Sequence, residues 1–281
     1  MSDGTRTYPP VIFCLVALLL GGCVDSSEVR KFADISKSAS TCLPALVTDI
    51  EASCKRRTTY APAEEPQTSM VSCQKLTNSQ PGILKAQQVL LDYMDALKSL
   101  AGDQSVTYGK KLDALPGELS DSGLNKDQVK AVTGLAKIVA NAALKGYRQK
   151  QLQDLIGSAN EDVQLITKAL GEIITADYKR ELSLEQEGAD TYFKTALKEH
   201  ENGEPLGAIA VRRDWQSDQA AILVKENAAD AYGKIMADIA SGHQKLFDTR
   251  DKWTRKSLLD DVGPTIADLY DATQQVKKAF P

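Results

Sequence analysis

The chain has few histidines, the side chain that most often acts as a general acid or base in catalysis. It contains only two histidines, His200 and His243, and it has no serine-hydrolase elbow, phosphate-binding glycine loop or calcium-loop spacing. His200-Glu201 lacks the second histidine that a zinc-protease helix carries one turn later. His243 lies on a run of apolar residues at helical spacing, which favours a structural histidine because a general base needs a positioned partner. The sequence therefore predicts no enzyme, no cofactor and no metal site.

Aromatic residues are also scarce, at 6% of the chain, and no stretch shows the alternation of apolar and polar residues that is typical of strands. Alanine, leucine, lysine, aspartate and glutamine are plentiful, and this composition favours helices. The net charge is −4, without the basic excess that nucleic-acid binding requires. We expect an all-α fold, a bundle of long antiparallel helices, and no nucleic-acid partner.

Long hydrophobic runs are missing as well. The most apolar stretch, Val11 to Leu20, covers ten residues, about half of the roughly 20 that a membrane-spanning helix needs. A short polar segment containing Arg6 precedes it, which is typical of a secretory signal peptide. Instead of the small-residue site of ordinary export, Leu20-Gly21-Gly22 leads directly into Cys23.

This arrangement resembles the lipobox of bacterial lipoproteins, and the resemblance covers residues 1–23 only. It implies cleavage after a signal peptide of residues 1–22, a lipid on the Cys23 sulfur, and acylation of the new amino terminus by a fatty acid such as palmitate. Several acyl chains give stable membrane anchoring. The position after the cysteine is Val24, not the aspartate that favours inner-membrane retention, so the resemblance favours the outer membrane facing the periplasm. The alternative is an ordinarily exported or uncleaved protein with a chance cysteine.

Three cysteines remain in residues 23–281 besides Cys23, and export would place them in an oxidising compartment. Cys42 and Cys54 are twelve residues apart, roughly 18 Å along a helix and too far for a bridge. Cys73 is then one partner, and we favour Cys54 as the other because the chain between them is expected to close locally. Pairing of Cys42 with Cys73 and three free thiols are the alternatives.

Breaks between helices are predicted at four places. The region from Thr58 to Gly82 is polar and contains three prolines, so we expect a long loop over residues 58–82. Gly157-Ser158 and the run from His200 to Pro205 are predicted turns, and Pro44 is expected to begin a helix. A weak helix is expected within Val106 to Leu119.

Capping signals accompany these breaks. Asp25-Ser-Ser-Glu28 has the spacing of a capping box at the first helix, and Asn125 is expected to cap a later one. Lys55-Arg56-Arg57 follows an apolar stripe and is interpreted as a basic helix end, with contact to anionic headgroups as the alternative.

One short segment has the composition of an interface hot spot. Arg212 and Arg213 precede Trp215, and such bidentate donors beside an aromatic are enriched where proteins meet. A surface salt bridge next to a half-buried tryptophan is the favoured alternative.

These observations together predict a membrane-anchored envelope lipoprotein with a non-catalytic binding or structural role. Its partners are then the membrane, through the lipid, and another envelope protein or the cell-wall polymer. A carrier with an apolar cavity between helices is the second hypothesis. A hydrolase is the third, and it would require a cleft that combines His243 with an acid and a hydroxyl.

Overall fold

The computed structural model describes residues 26–60, 66–109, 112–145, 149–200 and 203–280, with only the backbone described for 66–72, 145 and 149. Within these ranges the chain is almost entirely helical and contains no strand, which confirms the predicted all-α bundle. The predicted signal peptide and Cys23 lie outside the described residues. In the part of the chain that the structure describes, no helix has the length and apolar character needed to cross a bilayer.

Nine α-helices, one π-helix and one 3-10 turn follow one another within the described ranges. They are α1 Ser27–Ser40, α2 Leu43–Thr59, α3 Pro66–Ala101, α4 Leu115–Glu118, α5 Lys126–Lys145, α6 Gln149–Glu172, the π-helix Ile173–Tyr178, α7 Lys179–His200, α8 Pro205–Thr249, the 3-10 turn Arg250–Lys252 and α9 Arg255–Ala279.

Helices α1 and α2 run antiparallel to the long helix α3. Lys37 Nζ lies 2.8 Å from Asp95 Oδ1, and Ser26 Oγ donates a hydrogen bond of 2.8 Å to the carbonyl of Ala101 at the far end of α3. The disulfide-bonded Cys54 and Cys73 mark the opposite end of this helical pair. The entry of the chain at Ser26 and the end of α2 therefore lie at opposite ends of the bundle.

The helical rod α6, π-helix and α7 is continuous from Gln149 to His200, about 75 Å at 1.5 Å per residue. Both α5 and α8 run antiparallel to it. Gln151 Nε2 donates to the carbonyl of Ala142 at 3.0 Å, and Gln164 Nε2 donates to the carbonyl of Ala240 at 2.8 Å. Helix α9 returns along α8 and also contacts α1.

Several predicted boundaries are confirmed. Asn125 caps α5 through two reciprocal bonds: Gln128 N–H donates to Asn125 Oδ1 at 3.0 Å, and Asn125 N–H donates to Gln128 Oε1 at 2.9 Å. Pro44 lies in the first turn of α2, and Pro205 begins α8 after the predicted break.

The capping box predicted at the first helix depends on Asp25, which lies outside the described residues. Helix α1 begins at Ser27, and Ser26 before it makes no capping bond. The Ser26 hydroxyl donates to the carbonyl of Ala101, and Glu28 accepts a bond from Lys31 at 2.8 Å.

The long loop predicted over residues 58–82 is wrong for residues 66–82, which belong to α3. Pro66 is the first residue of that helix, where its missing N–H costs nothing. Pro81 lies inside α3 and removes one helical bond, but the buried side chains that follow, beginning with Ile83, hold the helix against its neighbours.

Two further expectations are corrected. Gly157 and Ser158 do not end the helix but lie inside α6. A glycine inside a helix costs only about 1 kcal/mol, and the neighbouring Leu155, Ile156 and Ala159 are buried. Of the described residues between Val106 and Leu119, which exclude 110 and 111, only the four residues of α4 are helical.

Candidate functional site

A cluster of charged side chains lies where α2, α7 and α8 meet. The Arg56 guanidinium donates through Nε to Glu185 Oε1 at 2.6 Å and through Nη1 to Asp49 Oδ1 at 3.0 Å. Its Nη2 adds bonds to both carboxylates, at 2.9 Å to Glu185 and 3.1 Å to Asp49. Both pairs are bidentate, the strongest geometry available to arginine. We call Asp49, Arg56, Tyr178, Glu185 and Lys225 the ion cluster.

Asp49 is the centre of the ion cluster. Lys225 Nζ on α8 lies 3.1 Å from Asp49 Oδ1, and the hydroxyl of Tyr178 donates to Asp49 Oδ2 at 2.6 Å. Burial alone would raise the pKa of Asp49, but the hydrogen bonds from Arg56 and Tyr178 and the two nearby cations lower it below its usual range. The carboxylate is therefore held in its charged form.

Tyr178 is the last residue of the π-helix. A π-turn inserts an extra residue into a helix and changes the direction of the side chains that follow it. Burial and the hydrogen bond to Asp49 raise the pKa of the Tyr178 hydroxyl well above its usual range, so it remains a donor. The irregular turn thus joins the α6–α7 rod to α2.

The predicted basic helix end at Lys55-Arg56-Arg57 has a more specific role than capping. Arg56 belongs to the ion cluster, and Arg57 Nη1 lies 3.7 Å from Glu181 Oε2 on α7. Lys55 pairs with Glu51 on its own helix. Two of the three cations therefore connect α2 to α7.

The predicted disulfide between Cys54 and Cys73 is present, with the two alpha carbons 5.6 Å apart. Cys73 lies in a helix and not in the expected loop, so the bond joins α2 to α3. Cys42 is a free, half-buried thiol, and burial raises its pKa.

Replacing Cys73 by serine is expected to lower the free energy of unfolding by about 3 kcal/mol, the loop entropy of a bridge with this separation. The two cysteines are 19 residues apart in sequence. Urea unfolding of the variant and the parent chain measures the difference, with Cys42→Ser as the control that removes a thiol and no bridge. Equal effects of the two substitutions would refute the pairing.

Beyond the ion cluster, α7 and α8 continue as an antiparallel pair. Tyr60, at the end of α2, donates to Asp218 Oδ2 at 2.8 Å, and α8 extends from Asp218 back to Pro205, about 20 Å further. We call residues 190–200 of α7 and 205–224 of α8 the arm. The arm lies at the end of the bundle opposite Ser26.

The arm contains the predicted interface segment. Trp215 Nε1 donates to Asp190 Oδ1 at 2.8 Å, and its ring is stacked on Phe193 with centroids 6.5 Å apart. Arg212 and Arg213 are exposed, and Arg213 pairs only loosely with Asp214, at 3.7 Å. The three predicted residues therefore do not converge on one site: Trp215 joins α8 to α7, and the arginines face solvent.

His243 is fully buried between α3, α6 and α8. Asn160 donates to Gln244 through Nδ2 at 2.9 Å, so its Oδ1 accepts the bond from His243 Nδ1 at 2.9 Å. The hydroxyl of Tyr93 then donates to His243 Nε2. Burial lowers the pKa of His243 to about 3. Both ring nitrogens of this neutral histidine are therefore bonded inside the core, to Asn160 and to Tyr93.

Other concave surfaces exist. An open groove of about 500 Å³ lies between α6 and α8, and Gly171, Gly233 and Met236 are among its lining residues. A carrier needs an enclosed cavity around its ligand, and this groove is open to solvent. Among the residues that the structure describes, no group of three or more histidine, cysteine, aspartate or glutamate side chains is placed to hold a metal ion.

The sequence did not reveal the ion cluster. Arg56 and Glu185 are 129 residues apart, and Asp49 and Lys225 are 176 apart. Each is an ordinary charged residue on its own helix, so no local pattern identifies it.

A comparison of the chain with protein-family models, with curated proteins and with solved structures finds no match in any of the three.

Proposed function

We propose that this protein is a lipid-anchored envelope lipoprotein with a non-catalytic binding or structural role, and that the arm is its contact surface. The observation that carries the proposal is the exposed apolar surface on the arm: Leu206 is 83% exposed and Ile209 62%. Large apolar side chains exposed close together on one element are typical of a surface that meets a partner.

The structure of the arm base supports the same proposal. The ion cluster, the Tyr60–Asp218 bond and the Trp215–Asp190 bond fix α7 and α8 to each other and to α2. A surface that is held in one conformation loses less entropy on binding. The anchor would be Cys23, three residues before Ser26, so the lipid would hold the bundle close to the membrane.

A photo-reactive amino acid introduced at Ile209 tests the contact in intact cells. We expect discrete adducts of higher mass, and digestion with a muramidase distinguishes a cell-wall polymer from a protein. The matched control is Tyr270 on α9, which is 56% exposed but distant from the arm. Absence of adducts from Ile209, or the same adducts from both positions, would reject the arm as the contact surface.

A further inference from the structure

One face of α8 in the arm is apolar, and no helix among the described residues packs on it. Of the eight large apolar side chains that are exposed among the described residues, four lie on this helix: Leu206, Ile209, Leu223 and Val224. Between them the same face carries Ala210, Gln216, Ser217 and Ala220, with Arg213 near its centre and Arg212 at its edge beside Leu223. Helix α7 packs on the opposite side, because Trp215 lies two and a half turns from Leu206. We call this surface, from Leu206 to Val224, the α8 face.

The α8 face lies on the same side of α8 as Gly242, which is covered by α1 and α9 inside the bundle. Leu206, Val224 and Gly242 follow one another at intervals of 18 residues, which is five full turns at 3.6 residues per turn, so all three point in the same direction. At Gly242 the neighbours are Phe32 of α1 and Thr265 of α9, both so close that an added Cβ would contact them. Helix α9 runs antiparallel to α8 and ends at Ala279. Ala279 lies 14 residues after Thr265, so it is level with the residue 14 positions before Gly242 on α8, which is Ala228. The α8 face begins where α9 stops.

We propose that a second copy of this chain covers the α8 face, with the two α8 helices antiparallel. Pairing Leu206 of one copy with Val224 of the other places Ile209 opposite Ala221 and Ala210 opposite Ala220. Ile209 then meets a small side chain, and the two helices are in contact along about 27 Å. The second α8 occupies the position that α9 has in the bundle and runs in the same direction as α9. This inference rests on the proposed function of the arm as the contact surface.

Charge favours the antiparallel pair over a parallel one. In the antiparallel pair Arg213 lies opposite Ser217, and the two Arg213 side chains are offset by about 6 Å along the axis; in a parallel pair they would face each other. The tip of the arm carries exposed Glu199 and Glu204 together with exposed Lys198, so carboxylates outnumber amines there. In the antiparallel pair this tip lies beside the last turn of α9, which carries Lys277 and Lys278. The contact occurs twice by symmetry.

Cysteine cross-linking of the full chain tests the pair. Two differently tagged copies, one with Leu206→Cys and one with Val224→Cys, are expressed together in a Cys42→Ser background and oxidised mildly. We expect a mixed disulfide dimer, because a bridge requires beta carbons about 3.5 to 4.5 Å apart. Leu206→Cys expressed with Tyr270→Cys is the matched control, and the background chain without a new cysteine measures any dimer formed through Cys23.

Each outcome decides the proposal. A mixed dimer that forms between Leu206→Cys and Val224→Cys and is absent from both controls supports the antiparallel pair. Dimers of Leu206→Cys with itself in place of the mixed dimer would show a parallel pair and overturn it, and so would monomers only. The photo-reactive cross-link from Ile209 distinguishes the dimer from the more general proposal that the arm is the contact surface. An adduct with twice the mass of the chain supports the dimer, whereas an adduct with a different partner overturns the dimer and keeps the arm as the contact surface. The absence of any adduct overturns both proposals.

Discussion

Replacing Arg56 by alanine is expected to lower the free energy of unfolding by about 2–4 kcal/mol and the Tm by about 5–10 °C. The variant leaves the carboxylates of Asp49 and Glu185 without the guanidinium that pairs with both of them. Glu185 is almost completely buried, and an uncompensated buried charge is costly. The expected loss is below that of a fully buried pair because Arg56 itself is one-third exposed. Denaturant unfolding and calorimetry measure the two quantities.

The matched control is Arg180→Ala on the neighbouring surface of α7. Arg180 is 60% exposed and pairs with the exposed Asp177 at 3.2 Å, so its removal is expected to change the free energy of unfolding by no more than about 0.5 kcal/mol. If the two alanine variants were equally stable, the ion cluster would not hold the base of the arm. Cross-linking from Ile209 in the Arg56 variant then reports whether contact through the arm depends on this base.

Lowering the pH from 6.5 to 5 is expected to remove about 1.6 kcal/mol of stability through His243 alone, because the loss approaches 1.36 kcal/mol per pH unit only below the unfolded pKa. The pKa of His243 is about 3 in the folded chain, whereas an unfolded histidine titrates near 6.5. The unfolded chain therefore binds a proton that the folded chain excludes. The contribution is fully present above about pH 6.5 and is lost progressively as the pH falls towards 3.

A variant without this titration isolates the effect. The free energy of unfolding of His243→Gln and of the parent chain is measured at several pH values, and the difference between the two chains is expected to shrink as the pH falls. Using the difference is essential, because burial raises the pKa of Asp162 to about 6 and its contribution falls as the pH rises through the same window. Two parallel pH profiles would contradict the buried neutral His243.

Local signals in the sequence predicted those parts of the fold that depend on neighbouring residues. Asn125 and Gln128 form a cap because both partners lie within one turn. Pro205 begins a helix because the first turn does not need its N–H. The disulfide partners were predicted from spacing, although the helix around Cys73 was not.

The errors share one physical cause. Gly157 and Pro81 are unfavourable in helices, yet each lies in a helix that buries apolar side chains along its length. Tertiary packing outweighed a local cost of one to about three kcal/mol. The sequence does not predict the ion cluster, because its members meet only when α2, α7 and α8 pack together. A sequence pattern shows which face of a helix is apolar and does not show which charges meet across three helices.

The arrangement of contacts supports the proposal that the arm is the contact surface. The disulfide fixes α3 to α2, Arg56 and Arg57 fix α2 to α7, and Trp215 fixes α8 to α7. These contacts lie at or near the base of the arm, and none of them uses the α8 face. The surface is therefore both held in place and left exposed.

The mass of the amino-terminal peptide tests whether a lipid at Cys23 anchors the protein. The protein is isolated from the membranes of its own cells and digested, and the mass of the first peptide is measured. We expect this peptide to begin at Cys23 and to carry a diacylglyceryl group together with an amide-linked fatty acid. A peptide that begins at Met1, or one in which Cys23 carries no lipid, would refute the lipid anchor.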